Sequence, residues 1–346
     1  MRKMWRTYAL ALAVMLMSLA GCQRIPLYER TTNVYLDCRI NLQIENKIDL
    51  ETDTELPEEY QVKVFGKMPT YVEVLFYDVD DHSLVKSQIL PAEGGILDVP
   101  AGDYNLVIYS FGTESTQVNN THFKQDVLAH TSDITKELSS KLFAVKASVE
   151  PDTKTDIRGY DDDPIIHEPD HLYVANEDAV HIPAFEERDT VVTIHANAKS
   201  IIDVYTMEVL GIKGAKNIEK VDAFITGQVR AYYFGVPTRA DEAATLYVTM
   251  TPDPVNERLY TVFGTFGKLT GEENHVYLDI TVTSSGGGQY RYIYDVTDQF
   301  DDLSNVNNKL VIVAPEIDIP EASYGGSGLA PSVDPWENEI HDIPLG

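Results

Sequence analysis

From Val276 the chain alternates through Leu278, Ile280 and Val282, breaks at Ser284-Ser285-Gly286-Gly287-Gly288, and alternates back through Tyr290, Tyr292, Tyr294 and Val296. Period two on both sides of a small-residue break is a β-hairpin with one apolar face. A hairpin cannot stand alone in water, so this one requires further strands and a second layer to cover its apolar side. The same period opens at Val34, where Leu36, Cys38, Ile40, Leu42 and Ile44 alternate with polar residues, with a bend expected near Asn46. Further strands are predicted at 71–77, 96–99, 104–111, 172–175, 191–196, 201–212, 221–229, 246–251, 259–266 and 310–313, without a strand-helix-strand rhythm. One short helix is expected, capped by Thr131 or Ser132 and carrying Ile134, Leu138 and Leu142 on one face. The chain therefore reads as all-β, with antiparallel strands forming two β-sandwiches. A length of 346 residues supports two such cores. The expected boundaries are 1–21, 22–184, 185–314 and a Gly/Pro/acidic tail at 315–346 that holds Trp336.

The first of these segments is an export signal. Arg2, Lys3 and Arg6 precede ten apolar residues from Tyr8 to Met17, half the length that a spanning helix needs. Leu19-Ala20-Gly21-Cys22 follows and resembles the lipobox of bacterial lipoproteins. That resemblance implies cleavage before Cys22, acylation of Cys22, and attachment to a membrane by lipid. Several acyl chains on one residue give stable attachment where one chain is marginal. Cys38 is then the remaining thiol. Its place on the apolar side of an alternating strand points to a core position and away from redox chemistry. The formal net charge of −28 excludes simple nucleic-acid binding, which draws its affinity from basic groups on phosphate.

His167-Glu168-Pro169-Asp170-His171 fits the H-E-x-x-H pattern of zinc proteases. The chemistry needs a helix that puts both histidines on one face, and Pro164 and Pro169 oppose a helix here. The segment is expected to be a solvated acidic loop within 150–171. Asp161-Asp162-Asp163 and the Asp298, Asp301, Asp302 group offer oxygen ligands in loops, but neither follows a calcium-loop pattern. No nucleophile elbow and no phosphate-binding loop is present. Tyr290, Tyr292 and Tyr294 are read as strand packing rather than a carbohydrate-stacking face. No enzyme activity, metal or other cofactor is expected.

The segment Val99-Pro100-Ala101-Gly102-Asp103-Tyr104 is a turn of a form that recurs in transthyretin-like bacterial sandwiches. Together with the lipobox, 111–114, 171–174 and 224–227, it resembles a family of lipoproteins of anaerobic Gram-negative bacteria related to fimbrillins and fimbrial anchors. The resemblance implies two transthyretin-like (Ig-like) domains. It also implies a lipid-anchored outer-membrane protein, on the cell surface or the periplasmic face, that serves as a fimbrial anchor, tip or accessory subunit. Its partners would be other fimbrial subunits or envelope lipoproteins, joined by strand addition at an open sheet edge. Arg24, Arg30 and Arg39 are available for the arginine-directed processing that opens such a groove in fimbrillin-like polymers. A surface glycan-binding lipoprotein is the alternative, and a predicted core without tryptophan counts against it.

Overall fold

The computed structural model describes residues 32–41, 58–135, 140, 144–149, 163–184, 192–271, 274–302 and 308–321. Cys22, Arg24, Arg30, Leu42, Ile44, Asn46, Leu138, Leu142, Asp161, Asp162 and the segment 322–346 lie outside them, as do the side chains of Cys38 and Arg39. In chain order the first strands and helix are β1 (Thr32–Asn41), α1 (Glu58–Phe65), β2 (Tyr71–Asp78), β3 (Leu84–Pro91), β4 (Gly94–Val99), β5 (Gly102–Phe111), β6 (Thr116–Asn119) and β7 (Leu128–Thr131). There follow β8 (Ala147–Val149), β9 (Ile165–His167), β10 (Tyr173–Ile182), β11 (Thr193–Ser200), β12 (Asp203–Leu210), β13 (Ile218–Val229), β14 (Ala231–Tyr233) and β15 (Thr238–Arg239). The last are β16 (Ala243–Thr249), β17 (Thr251–Asp253), β18 (Arg258–Thr265), β19 (Tyr277–Ser284), β20 (Gln289–Asp295), α2 (Thr297–Asp301) and β21 (Lys309–Val313).

These strands make four sheets. Sheet I has the order β3-β2-β5-β10-β11-β1-β4, and sheet II the order β8-β20-β19-β13-β16-β9. Sheet III runs β17-β18-β12-β21, and sheet IV runs β15-β14-β7-β6. Pairing is mostly antiparallel, as expected, but β1 with β11, β12 with β21, β16 with β9 and β20 with β8 are parallel.

Sheet I carries its own core, with Val72, Val74, Phe76, Leu97, Leu106 and Ile108 buried together. Its other face is also apolar: Leu75, Tyr77, Val107, Tyr109 and Val174 pack with Tyr60 and Val64 of α1 and with Val204, Tyr260 and Val262 of sheet III. Sheet III turns its opposite face, Met207, Val209, Leu259 and Phe263, toward Leu278, Ile280 and Val282 of sheet II. Sheet III is therefore a middle layer, which is why β18 is buried at every position and shows no polar alternation.

The expected hairpin forms as read, with Val282 opposite Tyr290 and Ile280 opposite Tyr292. Gly287 takes φ +79° at its turn, a conformation that favours glycine. Tyr292 is buried in the core and Tyr290 and Tyr294 pack against it, so the tyrosines serve the strand. In the 99–104 turn, Tyr104 Oη donates to the Pro100 carbonyl at 3.1 Å and ties the turn to the strand that follows.

Four expectations are corrected. The helix start at Thr131 is strand instead: Thr131 closes β7, Asp133 bridges to Ile166, and the Ile134 amide donates to the Ile165 carbonyl. The boundary at 184/185 falls between β10 and β11, which both belong to sheet I. Conversely, β8 and β9 lie before that boundary yet join sheet II. The tail does not begin at 315, because Ile317 and Ile319 are buried against sheets II and III and pair with Lys213. Residues 163–171 are not a solvated loop, and their contacts are given below.

Buried charge is paired. Arg291 holds the fully buried Asp279 through Nε at 2.9 Å and Nη2 at 2.6 Å, and its Nη1 donates to the Val145 carbonyl, pinning β8 to the sheet. Asp279→Ala leaves the largely buried guanidinium without its carboxylate. It should lower unfolding stability by about 3–5 kcal/mol, read from a denaturant titration.

Candidate functional site: an interdomain clasp and an open sheet edge

The segment 167–171 is the crossover from β9 in sheet II to β10 in sheet I. Extended backbone, not helix, carries it, so its two histidines never share a helix face. The Glu168 carboxylate accepts from Lys63 Nζ of α1 at 2.7 Å and from the Gly264 amide of β18 at 2.8 Å. Lys63 Nζ also donates to the Val262 carbonyl at 3.1 Å. Glycine at 264 gives this approach its room, since a Cβ would stand 3.0 Å from the Pro169 carbonyl oxygen and 2.8 Å from Ile202 and one of them would have to shift. Burial pushes the Glu168 pKa up, opposed by Lys63 and the Gly264 amide.

Asp170 reaches the loop before β6. Its carboxylate accepts from the Glu114 amide at 2.7 Å, the Thr116 amide at 2.7 Å and Ser115 Oγ at 2.7 Å. Burial works against its charge, but these donors outweigh burial and hold the carboxyl below its usual range. His171 Nε2 lies 2.7 Å from the Lys63 carbonyl and Nδ1 2.7 Å from Ser200 Oγ. A carbonyl only accepts, so Nε2 holds the proton and Nδ1 accepts from the serine. Burial lowers the His171 pKa, with the Lys63 carbonyl and Asp170 opposing. Five consecutive residues thus fasten α1, the β6 approach, β11 and β18 to one crossover. The sequence showed that these groups were polar and ionisable, but not which donors would meet them.

The other loop acids take structural places as well. Asp301 pairs with Lys268, and Asp298 sits in the first turn of α2. No group of three or more His, Cys, Asp or Glu among the described residues is placed to hold a metal ion. None of the helices among them is long and apolar enough to cross a membrane.

A second feature is the seam of sheet I. Its outermost strands, β3 and β4, are consecutive in the chain and come together as the sheet rolls, but no backbone ladder joins them. Side chains fill the gap. Gln88 Nε2 donates to the Ile96 carbonyl at 3.0 Å, the Asp98 amide donates to Gln88 Oε1 at 3.3 Å, and Lys86 Nζ donates to the Asp98 carbonyl. One carboxamide thereby makes to residues 96 and 98 the pair of bonds that the N–H and C=O of one residue in a parallel neighbour strand would make. On its other side β4 is fully paired with β1, Leu97 opposite Val34. Ile96 is 64% exposed on this edge. Sequence reading placed a strand at 96–99 but missed β3, and so could not see an edge.

Residues 62–249 match the model of a family described as a domain of unknown function, DUF5119. The chain belongs to that family. The DUF5119 match begins in α1 and ends with β16, so it contains the 167–171 crossover, the seam and sheet IV, but not the β18 partners of the clasp. A Bacteroides ovatus protein named provisionally as a fimbrium anchoring subunit, Fim4B, is 22% identical over 316 residues, covering 82% of this chain and 87% of its own. A crystal structure of a provisionally named adhesin from Bacteroides ovatus superposes with TM-score 0.56 at 18% identity, covering 87% of this chain and 97% of that one. The two share the fold. The fimbrial anchor protein Mfa2 from Porphyromonas gingivalis gives TM-score 0.47 at 15% identity over 82% of this chain and 90% of its own, a likeness too distant to carry an argument.

Asp170→Ala leaves three backbone amides, those of Glu114, Ser115 and Thr116, without their acceptor, and should cost about 2–4 kcal/mol in chemical unfolding. Two members of the clasp, His171 and Asp170, lose stabilisation in acid, while Glu168, its pKa raised by burial, works in the opposite direction. His171 is held neutral, so its stabilisation is complete above the unfolded value near 6.5 and falls as the pH drops below it. Asp170, with a lowered pKa, loses its contribution at still lower pH, below the ordinary aspartate range. His171→Gln should flatten the fall in melting temperature between about pH 6.5 and 5 relative to the unaltered protein.

Proposed function

We propose that this chain is a non-enzymatic cell-envelope lipoprotein, acylated at Cys22, that serves as a fimbrial anchor, tip or accessory subunit and joins its neighbour by strand addition along β4. The observation that carries the reading is the seam: an edge strand with an outward carbonyl and amide capped by a side-chain carboxamide, where a strand would make the same bonds and more. The resemblance to the Bacteroides ovatus anchoring subunit supports the fimbrial part. The signal-like segment before Cys22 supports the lipid, and with it an outer-membrane location. Support for a non-enzymatic role comes from 167–171, whose ionisable groups are engaged in holding the sandwiches together. Exposed Val62, Met68, Tyr71 and Phe111 line one cleft beside the clasp and add apolar area for a partner.

Asp98→Pro is the direct test. It deletes the outward N–H of β4 while leaving the β1 ladder, and proline is tolerated on edge strands for that reason. The full chain in a fimbriated Gram-negative host should co-purify with fimbrial subunits after gentle extraction and cross-linking. The Asp98→Pro chain should keep its melting temperature and lose about tenfold of that recovery. Equal recovery from both chains would refute β4 as the docking edge, and an unaltered chain recovered only as a lone monomer would sink the fimbrial role. Cys22→Ser should move the protein from the membrane fraction to the soluble fraction.

A further inference from the structure

Sheet IV has one face on the shared core, through Ala129 and Tyr232, and its other face open. Register places Asn119, Leu128, Tyr233 and Thr238 in one row across all four strands of that open face. The row forms the floor of a groove of about 570 Å³, within the range of small-ligand sites. The geometry points to this groove as a binding site for neutral oligosaccharide, a function independent of the assembly reading.

Three properties select that ligand class. The floor pairs a half-exposed aromatic ring and an aliphatic side chain with amide and hydroxyl groups. A sugar ring presents the matching combination of a C–H face and peripheral hydroxyls. The polar groups are also held in place before any ligand arrives. His130 Nδ1 faces the Thr131 carbonyl at 3.2 Å and therefore carries the proton, leaving Nε2 to accept from Asn119 Nδ2 at 2.6 Å. That arrangement leaves the Asn119 side-chain carbonyl for a ligand hydroxyl. Finally, the groove is poorly suited to an anionic ligand, since Asp241 and Glu242 line it along with its two arginines. Arg230 is engaged by Asp133 at 3.1 Å and Glu242 at 3.6 Å, and Arg239 by Asp203 at 2.7 Å. In a chain of net charge −28, a site built this way favours uncharged ligands over anions.

A printed array of neutral, sialylated and sulfated glycans, probed with the full mature chain, tests the assignment. At least one neutral glycan should bind, and Tyr233→Ala and Asn119→Ala should each weaken it about tenfold with the melting temperature kept. Should Tyr233→Ala fail to fold, exposed Asn119 decides alone. Binding to anionic glycans only, binding to none, or neutral binding that survives Asn119→Ala unchanged would overturn the proposal.

Discussion

Sheet I has two apolar faces and can cover only one of them by rolling up. Along β2, Val72, Val74 and Phe76 point into the rolled core, while Leu75 and Tyr77 point out of it and are equally buried. Apolar surface of that size left in water costs about 25 cal/mol per Å², so the outer face dictates that sheet III pack against it. Sheet III in turn has to be apolar on both sides, and sheet II closes the stack. The chain is thus a layered body in which the first sandwich is incomplete without the second.

The clasp follows from that layering. A crossover between two sheets is squeezed where they meet, and its polar groups lose water there. Glu168, Asp170 and His171 are tolerable in that position because every one is met by named partners. Non-directional burial brings the layers together, and hydrogen bonds of fixed geometry set their registration. Gly264 allows the crossover to approach β18 closely enough for both to operate.

Period two was legible wherever apolar and polar residues alternate along the strand, as in β11 and the β19–β20 hairpin. Sequence reading failed for the shortest strands, β6, β14 and β15, which hold too few residues to show a period. It also missed α1, whose one signal was Tyr60 and Val64 four residues apart, both buried in the shared core. Sheet membership was out of reach for another reason. The β1 strand pairs with β11 and β9 with β16 across long stretches of chain, and local composition says nothing about non-local partners. The clasp was misread as solvated because acidic residues between prolines look the same whether their donors are water or protein.

The outer edge of sheet I is capped by Gln88, and sheet III uses the same device at β21, where the Val311 amide donates to Gln299 Oε1 at 2.6 Å. A neutral carboxamide satisfies one or two edge groups, each bond contributing about 1 kcal/mol net. It blunts the edge against chance pairing without the permanence of a covering strand. The charge of −28 adds a second barrier by making copies of this chain repel one another. A partner that displaces such a cap has to return more bonds than it removes, and a strand running along the whole of β4 does so whereas a brief encounter with one or two residues does not.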